Sequence, residues 1–188
     1  MARKRLLRPL EGMASSCLSR RRTMTSETGA RRPKRIYIVA VEASGDQIGA
    51  DLIKALRALD PDVEIRGVGG RAMERAGVPS LYDPSDLAVL GLFDGFRILN
   101  LVRRRAAETA MDAADFKADA AVLIDSWGFM LRAAWAIRAA DPSIRLVKFV
   151  GPQVFATRPG RARVLARAVD HLLGIHPFDP DYFEPAGL

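Results

Sequence analysis

The chain has 188 residues, with 29 Lys and Arg against 22 Asp and Glu and a net charge of +7. Eleven of the basic residues and only two of the acids lie in 1–35, so 36–188 carries 18 basic and 20 acidic side chains. The basic character therefore describes a leader and not a domain, which excludes a nucleic-acid partner read from overall charge; 49% hydrophobic content excludes a disordered chain, and the single Cys17 excludes a disulfide scaffold or cysteine-rich zinc site.

Residues 1–35 mix Arg, Ser, Thr, Gly and Pro with little apolar periodicity and read as a disordered basic extension. The basic start is not followed by an apolar stretch of the kind a secretory signal needs. A transit peptide and an upstream start codon are the two readings, and Met13 and Met24 as later starts favour the second. Residues 36–188 then form one domain. No run of about 18 apolar residues occurs, so no membrane-spanning helix is expected.

Ile36-Tyr37-Ile38-Val39-Ala40-Val41 is apolar without alternation, as in a strand buried on both faces. A turn over 42–46 follows, then Ile48, Leu52, Ile53, Leu56 and Leu59 at helical spacing, ended by Asp60-Pro61. A strand is predicted over 63–68 and a short helix over 71–76, closed by Gly77. Leu81-Tyr82 reads as a short strand, and 86–116 as mostly helical with a break near 91–95. Strands are expected at 120–124, 146–150 and 171–175, and helices up to Ala140, over 160–169 and within 177–186. Strands alternating with helices imply an α/β domain: a Rossmann-like, mostly parallel sheet with helices on both faces.

Ligands in such sheets bind at the carboxyl ends of strands. The 42–46 turn places Glu42, Ser44, Gly45 and Asp46 there. Gly45 would free the backbone, the helix start could hold an anion, and Ser44 or Asp46 would otherwise be a helix cap. Asp125 ends the 120–124 strand, where a carboxylate is a candidate general base or a cap for the next helix. Gly67-Val68-Gly69-Gly70-Arg71-Ala72 matches the dinucleotide fingerprint, but it follows the second strand and its helix is short. His171 and His176 lack metal-ligand spacing and read as structural, so neither a metal nor a cofactor is expected. Residues 87–105 gather apolar side chains, among them Leu90, Leu92, Phe93, Phe96 and Leu99, bordered by Arg103 and Arg104. That pattern suits either a membrane interface or a core helix with a basic face.

In chain order, 38–46, Gly67-Val68-Gly69-Gly70, 86–93, Ile124-Asp125-Ser126, 151–155, 173–178 and Tyr182-Phe183 together resemble the lipid-A-disaccharide synthases. The resemblance implies a bacterial glycosyltransferase of GT-B architecture: two Rossmann-like lobes around a cleft, of which this chain is the N-terminal, acceptor-side one. It implies inverting transfer, without a metal, from UDP-2,3-diacylglucosamine to 2,3-diacylglucosamine-1-phosphate, giving UDP and the β-1,6-linked disaccharide. Asp125 would be the base, with Gln153 and Arg158 joining the 42–46 residues at the substrate and 87–105 facing lipid. The place of work would be the cytoplasmic face of the inner membrane. Departures from the family pattern are Val41 for Gly, Trp127 for Pro, Met130 for Asn, Lys148 for His, and Phe155 and Thr157 for Trp. They are expected to cluster at the cleft. The second lobe is expected on a separate or continuing chain, and the 188 residues alone are expected not to turn over UDP-sugar. The alternatives are a non-catalytic module binding an acylated sugar phosphate and a nicotinamide-binding protein.

Overall fold

Five short segments become strands: β1 (Arg35–Ala40), β2 (Glu64–Val68), β3 (Ala120–Ile124), β4 (Arg145–Phe149) and β5 (His171–Leu173). All pair in parallel, in the order β2-β1-β3-β4-β5. A computed structural model of the chain describes residues 32–88, 95–154, 158 and 160–188, with only the backbone of 88 and 95–98. The leader up to residue 31 lies outside the described residues. Pro33–Leu188 forms one unit.

The central strands are nearly free of polar residues because both faces are covered. Ile38 and Ala40 pack with Val122 and Ile124 under α1 (Ala43–Leu59) and α2 (Arg71–Arg75). Tyr37 and Val39 pack with Leu123 and Leu146 on the other face, under α4 (Gly95–Asp115), α5 (Trp127–Ala140) and α6 (Arg161–Ala168). Small residues let α4 and α5 approach closely: Ala106, Ala110 and Ala113 share that layer with Ala133 and Ala134. On the α1 side the cover thins toward β5. Val147 and Phe149 are half-buried, and Leu173, which pairs with Phe149 and so shares its face, is 46% exposed.

The remaining helices are short: α3 (Ser85–Ala88), α7 (Asp179–Phe183) and a 3-10 turn over Glu184–Ala186. Three local expectations are corrected. The first helix begins at Ala43, because the Asp46 amide already bonds the Glu42 carbonyl at 2.8 Å. Ser44, Gly45 and Asp46 are thus its first turn, not a loop before it. Leu81-Tyr82 is no strand: one bond joins Leu81 N–H to the Gly67 carbonyl at 3.1 Å, and Pro84 ends the segment. The last strand stops at Leu173, because the following amides turn to Asp179.

Candidate active site

The chain direction across the sheet reverses between β1 and β3. From β1 it passes outward to β2, and from β3 it passes the other way through β4 to β5. Such a switch point leaves a crevice at the carboxyl ends of the two central strands. There the Ser44 hydroxyl, at the head of α1, donates to Asp125 Oδ2 at 3.2 Å. Two residues singled out separately in the sequence thus meet at the switch point, 81 positions apart in the chain.

Asp125 does not cap α5. The N-cap is Ser126, and neither residue makes a side-chain capping bond there. Instead Asp125 stands at φ 52° and Ser126 at φ 34°, with Val150 at φ 66° at the end of β4. Non-glycine residues there, a β-branched one above all, store of order 1–3 kcal/mol each. The strain is concentrated at the rim of the crevice. It frees the Asp125 carboxylate from the helix it precedes and turns it toward open space.

That space is a cleft of about 290 Å³. Asp125, Trp127, Lys148, Gln153, Arg161 and His176 supply its polar and aromatic wall, and Val150, Gly151, Pro152 and Ile175 the rest. The Arg161 guanidinium lies over the Trp127 ring at 4.8 Å, which leaves its edge for polar contacts. His176 reaches the cleft because the buried Asp179 accepts the amides of Ile175 and His176, both at 3.0 Å, and folds the loop after β5. Lys148 is 2% exposed, and burial pulls its ammonium down to about 8 against the favourable pull of Asp125 and Glu42.

The expected site residues separate. Asp125 and Gln153 line the cleft, and Ser44 touches Asp125. Glu42 is the N-cap of α1, its carboxylate makes no capping bond, and its charge reaches Lys148. Arg158 is exposed and in the left-handed region at φ 57°. Gly45 is buried in ordinary helical conformation, and a Cβ there would meet the Ile124 carbonyl at 3.5 Å, so the expected backbone freedom is not used. Neither Ser44 nor Asp46 caps α1. Asp46 turns away from the crevice. Its carboxylate accepts the amides of Gly70 at 2.8 Å, Ala72 at 2.8 Å and Met73 at 3.0 Å. The N–H groups that a dinucleotide phosphate would need at the start of α2 are taken by Asp46, and of the glycines of that motif Gly70 makes room for it.

Of the apolar segment, Leu90, Leu92 and Phe93 lie outside the described residues, as does the side chain of Phe96. Leu99 is half-buried, while Arg103 and Arg104 are exposed on α4. Arg105 turns inward, pairing with Asp86 at 3.0 Å and lying over Tyr82 at 4.3 Å. The departures from the family pattern do not all gather at the cleft. Val41 and Met130 are buried in the core, whereas Trp127 and Lys148 line the cleft, and Phe155 and Thr157 lie outside the described residues. Trp127 and Lys148 reach the cleft as expected of departures from the family pattern, whereas sequence reasoning missed Arg161 and read His176 as structural. Among the described residues no three His, Cys, Asp or Glu side chains gather as a metal site.

Residues 36–188 match the family described as Lipid-A-disaccharide synthetase. The chain belongs to that family. It is 42% identical over 161 residues to the lipid-A-disaccharide synthase of Nitrobacter hamburgensis, covering 85% of this chain and 41% of that one. To the lipid-A-disaccharide synthase of Gluconobacter oxydans it is 40% identical over 178 residues, covering 95% of this chain and 41% of the other. The chain thus spans about two fifths of the length of these lipid-A-disaccharide synthases. A solved UDP-GlcNAc 2-epimerase from Neisseria meningitidis shares the fold, with a TM-score of 0.56 at 10% identity over 82% of this chain and 44% of that one.

Proposed function

We propose that the chain is the acceptor-side lobe of a lipid-A-disaccharide synthase and that Asp125 is its general base. The observation that carries the reading is the Ser44–Asp125 pair at the sheet's switch point, opening on the cleft. Family membership supplies the reaction. The Asp125 carboxylate would take the proton of the acceptor's 6-hydroxyl as that oxygen bonds to the anomeric carbon of UDP-2,3-diacylglucosamine. The glycosidic bond to UDP breaks with its electron pair on the phosphate, and the configuration inverts. Ser44, by donating to Oδ2, fixes the carboxylate and leaves Oδ1 for the hydroxyl. Arg161 provides positive charge for the acceptor phosphate, and Gln153 a hydrogen bond. A second lobe would bring the donor.

The acylated acceptor implies work at a membrane surface, and we place this at the cytoplasmic face of the inner membrane. Among the described residues no helix is long and apolar enough to cross a membrane. Arg103 and Arg104 on α4 are the exposed charges suited to lipid phosphates.

Trp127 gives a direct test of acceptor binding. The chain has two tryptophans, and Trp135 is replaced by Phe so that only the cleft reports. Adding 2,3-diacylglucosamine-1-phosphate in mixed micelles should produce a saturable change in Trp127 emission, and Arg161→Ala should weaken it about tenfold or more. An unchanged spectrum at saturating acceptor would remove this cleft from the proposal.

A further inference from the structure

Lys148 is the next-to-last residue of β4, on the same face as the fully buried Leu146 and the half-buried Val150 at the cleft. Leu123, Trp127, Met130, Leu131, Leu165 and Val169 enclose a small apolar space beside it. A lysine in such a place must account for each of its three N–H groups. The accounting closes on backbone carbonyls alone. Nζ donates to Leu123 O at 3.4 Å, to Phe149 O at 3.2 Å and, closest of all, to Asp125 O. Phe149 O also receives the Asp125 amide at 3.0 Å. One ammonium therefore ties the carboxyl ends of β3 and β4 together, on both sides of the residue held at φ 52°.

We infer that Lys148 is a positioning residue whose buried ammonium, bonded to the carbonyls of Leu123, Asp125 and Phe149, holds Asp125 in its left-handed conformation with the carboxylate at the cleft. The strained backbone needs such an external hold, because nothing in α5 caps or restrains Asp125. The inference deepens the reading of Asp125 as the base and rests on it for its catalytic meaning, although the clamp itself is a matter of geometry. A neutral amine has two N–H groups for three carbonyls, so loss of the proton must release one of them. The charges acting on Lys148 are those of Asp125 after β3 and Glu42 before α1, and Arg161 of α6 and His176 after β5 line the same cleft. The carboxylates favour the ammonium. Burial opposes it and brings the release to about 8, inside the range of ordinary assay conditions.

The test uses the 188-residue chain with aspartate labelled with 13C at both carbonyl carbons, followed by carbon-detected NMR from about pH 6 to pH 10. Asp125→Asn assigns the side-chain resonance. In the wild-type chain the Asp125 carbonyl and carboxylate signals should move together with a midpoint near 8. Lys148→Met should lose that transition and show displaced Asp125 signals already at low pH, with the other aspartates unmoved. Lys148→Arg, which keeps its charge, should hold the low-pH positions throughout. Asp125 signals that keep their wild-type low-pH positions in Lys148→Met, or a transition that persists in it, would overturn the inference. If Lys148→Met fails to fold, Lys148→Gln is read in its place. Turnover is not read, so an intact titration beside a dispensable Asp125 carboxylate would discard the base and keep the clamp.

Discussion

Asp46 sits in the first turn of α1, where sequence offers it as a cap or a ligand group, yet its oxygens meet three amides of a different helix. It is 9% exposed, so water does not readily replace it. Asp46→Ala would leave those donors without an acceptor. The expected loss is about 2–4 kcal/mol of stability, read as a lower urea midpoint, because buried unpaired donors cost about 1–3 kcal/mol each. A change within about 0.5 kcal/mol would mean that the contacts contribute nothing net. Asp125 differs in kind: its side chain supports no helix, and its backbone is strained at the rim of a cleft. Of two acids at strand–helix junctions, Asp46 holds the fold and Asp125 faces the cleft. Only the long-range contacts tell them apart.

At the scale of elements, α2 is five residues long, has Gly70 as its N-cap, and depends on Asp46 of α1 to accept its first amides. A Cβ on Gly70 would lie 2.6 Å from Asp46 Oδ2, so Gly70→Ala must displace the same carboxylate. Asp46→Ala and Gly70→Ala should therefore be non-additive: the double variant should lose little more than the worse single one. Gly49 and Gly69 act alike, since each would drive a Cβ within 2.6 Å of the Met73 sulfur. In α4, the run Arg103-Arg104-Arg105 divides, two side chains outward and one inward. Arg103→Glu with Arg104→Glu should weaken binding to anionic vesicles by about tenfold or more, at roughly 1 kcal/mol for each Arg removed. Equal vesicle binding would take the membrane contact away from this face of α4.

Much of the whole molecule was legible in the sequence. β1 and β3 are unbroken apolar runs because helices cover both faces, and Asp60-Pro61 and Asp141-Pro142 mark helix ends that the structure keeps. The start of α1 was misread because Ser44-Gly45-Asp46 has the composition of a turn, while the amide bonds that make it helical leave no trace in composition. Asp125 was legible as a carboxylate ending an apolar strand. Lys148 was legible only as a departure expected at the cleft; its acceptors on β3 depend on the register that sets it beside Leu123. Gln153 and Ser44 were legible, but the wall made by Trp127, Arg161 and His176 comes from three separate loops and helix starts that only the folded sheet brings together.

Asp125, at the switch point, is proposed as the base of an inverting glycosyl transfer. The most direct measurement grafts residues 33–188 in place of the matching two fifths of the Nitrobacter hamburgensis relative and follows disaccharide formation from UDP-2,3-diacylglucosamine and the acylated acceptor. The graft should turn over, and Asp125→Asn should lower kcat by about 10²–10⁴ with acceptor binding retained. A graft in which Asp125→Asn works as well as the parent, or a folded graft that binds acceptor and forms no disaccharide, would contradict the claim; the second result would mark the lobe as a binding module.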